Sequence, residues 1–317
     1  MIFKKIAILL ILLFSILFVL EKTYTFALNQ NKNIKTSYVL SNNTNADLLI
    51  LGPCEPFWMI NPDQLDKITN IESYNLSLSH SNFADNLLHL HLYLKNNTKP
   101  KYILLYITPE SMDERYNTFN TYRFAHHLSD TLINKTVKEF DASYYKYSQI
   151  PFMPYAYYSN LINFNALQGL KHYFTNKKEP KRKNGYQPPI VQDWHYRLQN
   201  FVDLYPDQVN FNWSERREKY LKEIISLAKE KNIQLMLYES PVFEMAKPHQ
   251  VNRYETLDRI QEIADQNNVP FYIFDDMEMA KDQSNFFSTL NTTVKGSVIF
   301  TDTLGHHLKN ILQQSKN

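Results

Sequence analysis

The strongest constraint on this chain lies at its start, where Lys4 and Lys5 precede an unbroken apolar run from Ile6 to Leu20, closed by Glu21 and Lys22. A helix rises about 1.5 Å per residue, so this run alone falls short of a hydrocarbon core about 30 Å thick. Ile2 and Phe3 lengthen it, and the flanking lysines can snorkel to the headgroups. Tyr24 and Phe26 stand where an outer aromatic fringe belongs. Lysines ahead of the span favour a cytoplasmic N-terminus. A cleaved signal peptide is the rival reading, with Thr25-Phe26-Ala27 as a cleavage context that lacks the small-x-small pattern. The uniformly bulky run suits an anchor better. Residues 1–28 therefore read as a single-pass transmembrane anchor, and either reading exports the rest, placing the globular body outside the cytoplasm, in a periplasm or at a cell surface.

The remaining length suits one large α/β domain with an insertion. Hydrophobic residues make up 44% and charged residues 21%, which supports a sizeable core and argues against wholesale disorder. A formal net charge of +2 gives no bulk electrostatic case for nucleic acid as a partner. Cys54 is the one cysteine, so no intrachain disulfide can form.

Residues 29–45 are polar, rich in Asn, Lys and Thr, and read as a tether. Beyond it, short apolar runs at 46–52, 74–78, 101–108, 233–239 and 269–274 predict buried parallel strands. Amphipathic helices are expected at 82–95, 214–232, 253–267 and 294–314. This alternation predicts a three-layer αβα sandwich on a five-stranded parallel sheet of the flavodoxin-like kind. It is carried by residues 46–112 and 213–317. Residues 113–212 interrupt it with a Tyr-, Phe- and His-rich stretch, too long for a plain loop and read as a helical cap. Tyr155, Tyr157, Tyr158, Trp194 and Tyr196 within it offer cap core or an aromatic platform for sugars and acyl chains. The basic loop 177–183 reads as a solvated linker, with anionic polymer or lipid headgroups as the alternative ligand.

In such sheets ligands bind at the carboxyl ends of the strands, which here carry Gly52-Pro53-Cys54-Glu55, Leu78-Ser79-His80-Ser81 and the stretch 285–296. Three blocks there resemble the SGNH/GDSL hydrolases. Asp47–Glu55 (DLLILGPCE) is similar to the family's first block, a strand ending at the nucleophilic serine. Tyr74–Leu78 resembles the second block, and Phe286–Thr301 (FFSTLNTTVKGSVIFT) the last. The anchor and strand order are closest to a membrane-anchored cell-envelope branch, similar to the teichoic-acid D-alanylation protein, whose members work on acyl groups of surface polymers. The resemblance implies degenerate chemistry. Cys54 holds the nucleophile position, Ser288 that of the Asp and Asn291 that of the His, while Gly52 and Gly296 survive as scaffold glycines. His80 stands near the oxyanion glycine, and no asparagine matches around Thr108-Pro109. An amide cannot accept a proton at neutral pH, so Asn291 cannot replace a catalytic imidazole.

Two readings of Cys54 follow. It fills the space of a lost serine, or its thiolate is a nucleophile with His80 as a displaced base and with Glu55 opposing ionisation. Gly52, Glu55 and His80 are the expected binding residues. No His/Cys spacing suggests a metal, no glycine-rich loop suggests a nucleotide, and no cofactor is expected. Asp302 and His306, at i,i+4 on the last helix, read as a surface contact rather than a dyad. The leading expectation is an exported, catalytically degenerate protein acting in acyl modification or binding of surface glycans. Its partners would be envelope polysaccharide or a membrane acyltransferase. An active esterase or acyltransferase using Cys54, and a purely structural envelope protein, are the alternatives.

Overall fold

The structure, a computed structural model, describes residues 2–40, 44–116, 119–177, 184–189 and 208–314. Trp194, Tyr196 and nearly all of the basic loop 177–183 lie outside the described residues. The chain divides into two compact units: residues 1–44, 91–97 and 119–181, and residues 45–90, 98–118 and 182–317.

The second unit holds the sheet. Its strands are β1 (Leu48–Leu51), β2 (Ser73–Asn75), β3 (Tyr102–Tyr106), β4 (Gln234–Glu239) and β5 (Phe271–Ile273). All are parallel, in the order β2-β1-β3-β4-β5. β1 is buried along its whole length and β3 along all but its first residue, as strands covered on both faces must be. Right-handed crossovers dictate the layers. The step from β1 out to β2 puts helices Cys54–Met59 and Pro62–Thr69 on one face. The reversed steps through β3, β4 and β5 put Phe83–Asn96, Glu215–Glu230 and Arg253–Gln266 on the other. Helix Val294–Gln314 returns to the first face, where Phe300, Leu304 and Leu308 pack with Leu48, Ile50, Leu104, Tyr106 and Met236. The predicted five-stranded α/β sheet is therefore the observed one, with strand ends shifted by a residue or a few.

Asn75 ties β2 to the helix that begins at Cys54. Its Nδ2 donates to the carbonyls of Pro56 at 2.7 Å and Ile60 at 3.0 Å, and its Oδ1 accepts from Ser77 N at 3.1 Å. Asn75 is fully buried, so Asn75→Leu strands these groups without solvent. The expected loss is roughly 3 kcal/mol, read as a lower urea midpoint at unchanged slope.

The first unit is helical. Helix Ile2–Gln30 is long and apolar enough to cross a membrane, and its apolar window is unburied. Helices Thr131–Phe140, Ala142–Tyr147, Met153–Tyr157 and Ser159–Phe174 follow in the insertion. The expected tether at 29–45 is corrected here. Residues Lys35–Leu40 form a helix in which Thr36, Ser37, Tyr38 and Val39 are buried, and Asn31 is buried as well. The polar side chains that suggested solvation are used internally: Ser37 Oγ donates to Leu28 O at 2.8 Å, and Asn97 Nδ2 to Val39 O at 2.6 Å. Residues 119–181 of the expected cap form one unit with the N-terminal segment. The cap tyrosines pack largely on one another. Tyr144 is buried against Tyr157 and Tyr158, while Tyr155 is buried and its hydroxyl bonds Thr25 Oγ1 at 2.6 Å.

Candidate active site

Strand order 2-1-3 reverses direction between β1 and β3, and a crevice opens outside the carboxyl ends of strands at such a point. A cavity of about 350 Å³ lies there. Pro53, Cys54 and Glu55 line it from the end of β1, and Thr108, Glu110 and Ser111 from the end of β3. Further walls come from His80 to Phe83, Asn86, Arg217, Thr289 and Leu290.

Gly52 does not line the cavity but lets the chain turn into it. Its φ is +152°, and a Cβ there would lie 2.6 Å from Pro56 Cγ and 2.8 Å from Tyr106 Cβ, so no larger residue fits. Its carbonyl accepts from Leu78 N at 3.0 Å and from Ser81 Oγ at 2.9 Å, which fastens the 78–81 loop beside Cys54.

That loop surrounds the sulfur. The His80 backbone N–H donates to Cys54 Sγ at 3.2 Å, and Ser79 Oγ lies 3.3 Å from Sγ. Ser79 Oγ is in turn 2.8 Å from His80 Nδ1. His80 holds a left-handed backbone, φ +55°, which folds its amide back onto the sulfur while its ring reaches Ser79. Thiol, hydroxyl and imidazole thus form a chain along which a proton can leave sulfur for nitrogen. The histidine anticipated as a displaced base is one hydroxyl removed from Cys54.

The loop 285–293 reaches the same cavity, as the sheet topology requires, but presents Thr289 and Leu290. Ser288 and Asn291 turn to each other. Asn291 donates to Ser288 Oγ from Nδ2 at 2.8 Å and from its backbone at 3.1 Å. Gly296 closes the turn, since a Cβ there would lie 2.1 Å from Asn285 O. Asp302 and His306 approach only to 3.9 Å, both exposed.

Three residues that sequence reading passed over complete the site. Asn86 is buried and lines the cavity, and its carboxamide makes no hydrogen bond among the described residues. Glu110 is backed by Gln250 Nε2, which donates to Oε1 at 2.9 Å. Arg217 Nη1 donates to Ser111 O at 2.7 Å. Asn86 sits in the first turn of helix Phe83–Asn96 and Glu110 directly after Pro109, so position beside a strand end was the one available signal. The Oε2 atoms of Glu55 and Glu110 are buried without a hydrogen bond among the described residues. Burial pushes Glu55 up to about 7, with its own backbone amide opposing and the Glu110 charge adding to the rise. Burial also raises Glu110, against the pull of Arg253. Below neutrality the cavity therefore contains a neutral carboxyl next to the thiol rather than a fixed anion.

No family model matches the chain, and no curated protein matches it. Among solved structures it is similar to one from Desulfitobacterium hafniense DCB-2, described as a lipolytic protein of the G-D-S-L family. That likeness is at 10% identity and TM-score 0.38, over 82% of this chain and 98% of the other. A structure from Bacteroides fragilis NCTC 9343, described as an acylhydrolase, matches at 10% identity and TM-score 0.38, over 84% and 85%. Likeness of that depth carries nothing about activity.

Proposed function

We propose that this protein is a membrane-anchored, extracytoplasmic acyl-group handler of the SGNH type, with Cys54 as its acyl acceptor. The observation that supports it is the Cys54–Ser79–His80 hydrogen-bonded chain at the switch point of the sheet. The Cys54 proton passes to Ser79 Oγ while the Ser79 proton passes to His80 Nδ1, and the His80 amide stabilises the sulfur's developing charge. The thiolate attacks an ester carbonyl, Asn86 is placed to donate to the oxyanion, and the leaving alkoxide regains its proton along the same path. A thioester on Cys54 results. Water or a polymer hydroxyl then takes the acyl group, giving hydrolysis or transfer. Acyl groups of envelope polysaccharide, or a membrane acyltransferase as donor, fit an anchored body of this kind. Anchoring is favoured over signal cleavage because Tyr24, Thr25, Ala27 and Leu28, around the nearest cleavage context, are all engaged by the insertion or buried.

A second reading, binding without turnover, is favoured by the mutual pairing of Ser288 and Asn291, which leaves that loop without a base. The test uses the full chain in detergent with p-nitrophenyl acetate. Mass spectrometry is expected to show one hydroxylamine-labile acetyl on the Cys54 peptide, absent in Cys54→Ala and formed about 100-fold more slowly or worse in His80→Ala. Native protein that iodoacetamide alkylates at Cys54 but that never acquires acetyl would leave only the binding reading.

A further inference from the structure

The insertion carries a large apolar face of its own. On helix Ser159–Phe174, Leu167 is 67% and Phe174 80% exposed, and Tyr173 is 53% exposed. Exposed apolar side chains gathered on one side of a helix mark a contact surface. The packing of this helix against helix Ile2–Gln30 indicates what that surface meets.

Helix Ile2–Gln30 has 29 residues, about 43 Å of rise, against about 30 Å of hydrocarbon. Its apolar run ends at Glu21 and Lys22, so residues from about 21 onward emerge from the core. The insertion grips just that emerging part. Glu21 Oε2 accepts from Phe152 N at 3.1 Å, and Tyr24 OH donates to Asn163 Oδ1 at 2.9 Å. Phe26 meets Tyr173 edge to face at 5.0 Å. Gly169 lets the backbones touch, since a Cβ there would lie 1.7 Å from Ala27 O. Asn31 Nδ2 donates to Asn165 O at 2.8 Å, and Lys32 N to His172 Nδ1 at 3.2 Å.

These pairs fix the crossing. Asn163 and Tyr173 are about 15 Å apart along their helix, yet they meet Tyr24 and Phe26, about 3 Å apart along the other. The helices cross steeply. If the first stands across a bilayer, the second lies along its surface. The row Asn163, Leu167, Leu170 and Phe174 is on the Tyr24 side, toward the apolar run. The row Leu161, Asn165, Gln168 and His172 is on the side of Asn31 and Lys32, away from it.

We infer that helix Ser159–Phe174 lies in the membrane–water interface around the emerging anchor, seated on lipid through Leu167, Leu170 and Phe174. Ile150, in the loop whose Phe152 is held by Glu21, is exposed at the same level and belongs to the same collar. Lys171 flanks the lipid-facing row, where it can meet anionic headgroups. The inference rests on the anchor reading, and the two fail separately in one experiment.

The full chain, carrying Cys54→Ser, receives single nitroxide labels at Phe14→Cys, Leu161→Cys, Leu167→Cys or Phe174→Cys. It is reconstituted in phosphatidylcholine–phosphatidylglycerol vesicles. Relaxation by oxygen relative to a water-soluble nickel chelate reports depth. The expected ratios are highest at position 14, severalfold above position 161 at positions 167 and 174, and aqueous at 161. Ratios at 167 and 174 equal to that at 161, with 14 in the bilayer, overturn the collar alone. An aqueous ratio at 14 overturns the anchor and the collar together.

Discussion

Arg253→Leu is expected to cost this protein about 3–5 kcal/mol, among the largest losses available to a single substitution here. Arg253 is fully buried, and its Nη2 donates to Glu239 Oε1 at 2.7 Å and Asp275 Oδ1 at 3.1 Å, while Nη1 donates to Gln250 Oε1 at 2.9 Å. Burial opposes the charge on Arg253, but Glu239, Asp275 and Glu110 outweigh it and hold the guanidinium above its ordinary range. Removing the cation leaves Glu239, at the carboxyl end of β4, buried without the guanidinium that now pairs with it, so it can ionise only at a high cost. The same residue orders Gln250, which holds Glu110 at the cavity wall, so thiol chemistry should weaken along with stability. The pH dependence carries a definite sign. Burial already pushes Glu239 up, and loss of Arg253 pushes it further. A carboxyl with a raised folded pKa contributes most below its unfolded pKa and loses that contribution as pH rises through the folded one. Urea denaturation of Arg253→Leu should therefore show a deficit that grows from pH 7 to pH 9.5, because the native Glu239 loses its proton near 8 and the variant's holds it to higher pH. Adding Glu239→Leu should recover much of it. A flat deficit across that range would mean that packing, not charge, is what Arg253 supplies.

Glu55→Gln should act in the opposite direction. A rise from an ordinary 4.5 to about 7 means that ionised Glu55 opposes folding by roughly 3 kcal/mol once pH is well above 7. Below about 4.5 both states hold the proton and the penalty is absent. The variant should thus match the native protein at pH 4 and exceed it at pH 8.5 by up to that amount. Its thiol should also change. Ionised Glu55 repels a Cys54 thiolate next to it, so Glu55→Gln should move the pH midpoint of iodoacetamide alkylation downward. A group that destabilises the fold beside the proposed acyl acceptor suits a chemical role better than a stabilising one. If Glu55→Gln instead lowered stability at pH 8.5, the carboxylate would have to be a structural acceptor.

Much of this was legible in the residues. The five strands were readable because their apolar runs are short, continuous and closed by turn residues, the mark of buried parallel strands, although β5 at the sheet edge is only partly covered. That Gly52 and the 285–296 stretch lie near the same strand ends was legible because parallel topology brings those ends together whatever the side chains do. Residues 29–45 misled for a physical reason. Asn, Thr and Ser are read as solvated, but Ser37 and Asn31 spend their hydrogen bonds inside the helical unit, and periodicity carries no record of that. Ser79 was adjacent to His80 on the page, yet nothing in sequence says that a left-handed residue turns both toward a cysteine 25 positions earlier.

By itself, then, the sequence determined what depends on local pattern: an apolar N-terminal helix, an alternating α/β body, one thiol at the end of the first strand. The tertiary structure decided what depends on direction. It turned Ser288 and Asn291 toward each other, brought Ser79 and His80 to the sulfur, and set a second apolar helix across the first. Hydrophobic pattern fixes which residues are withdrawn from water, but the partners of a polar group are chosen only when distant segments meet.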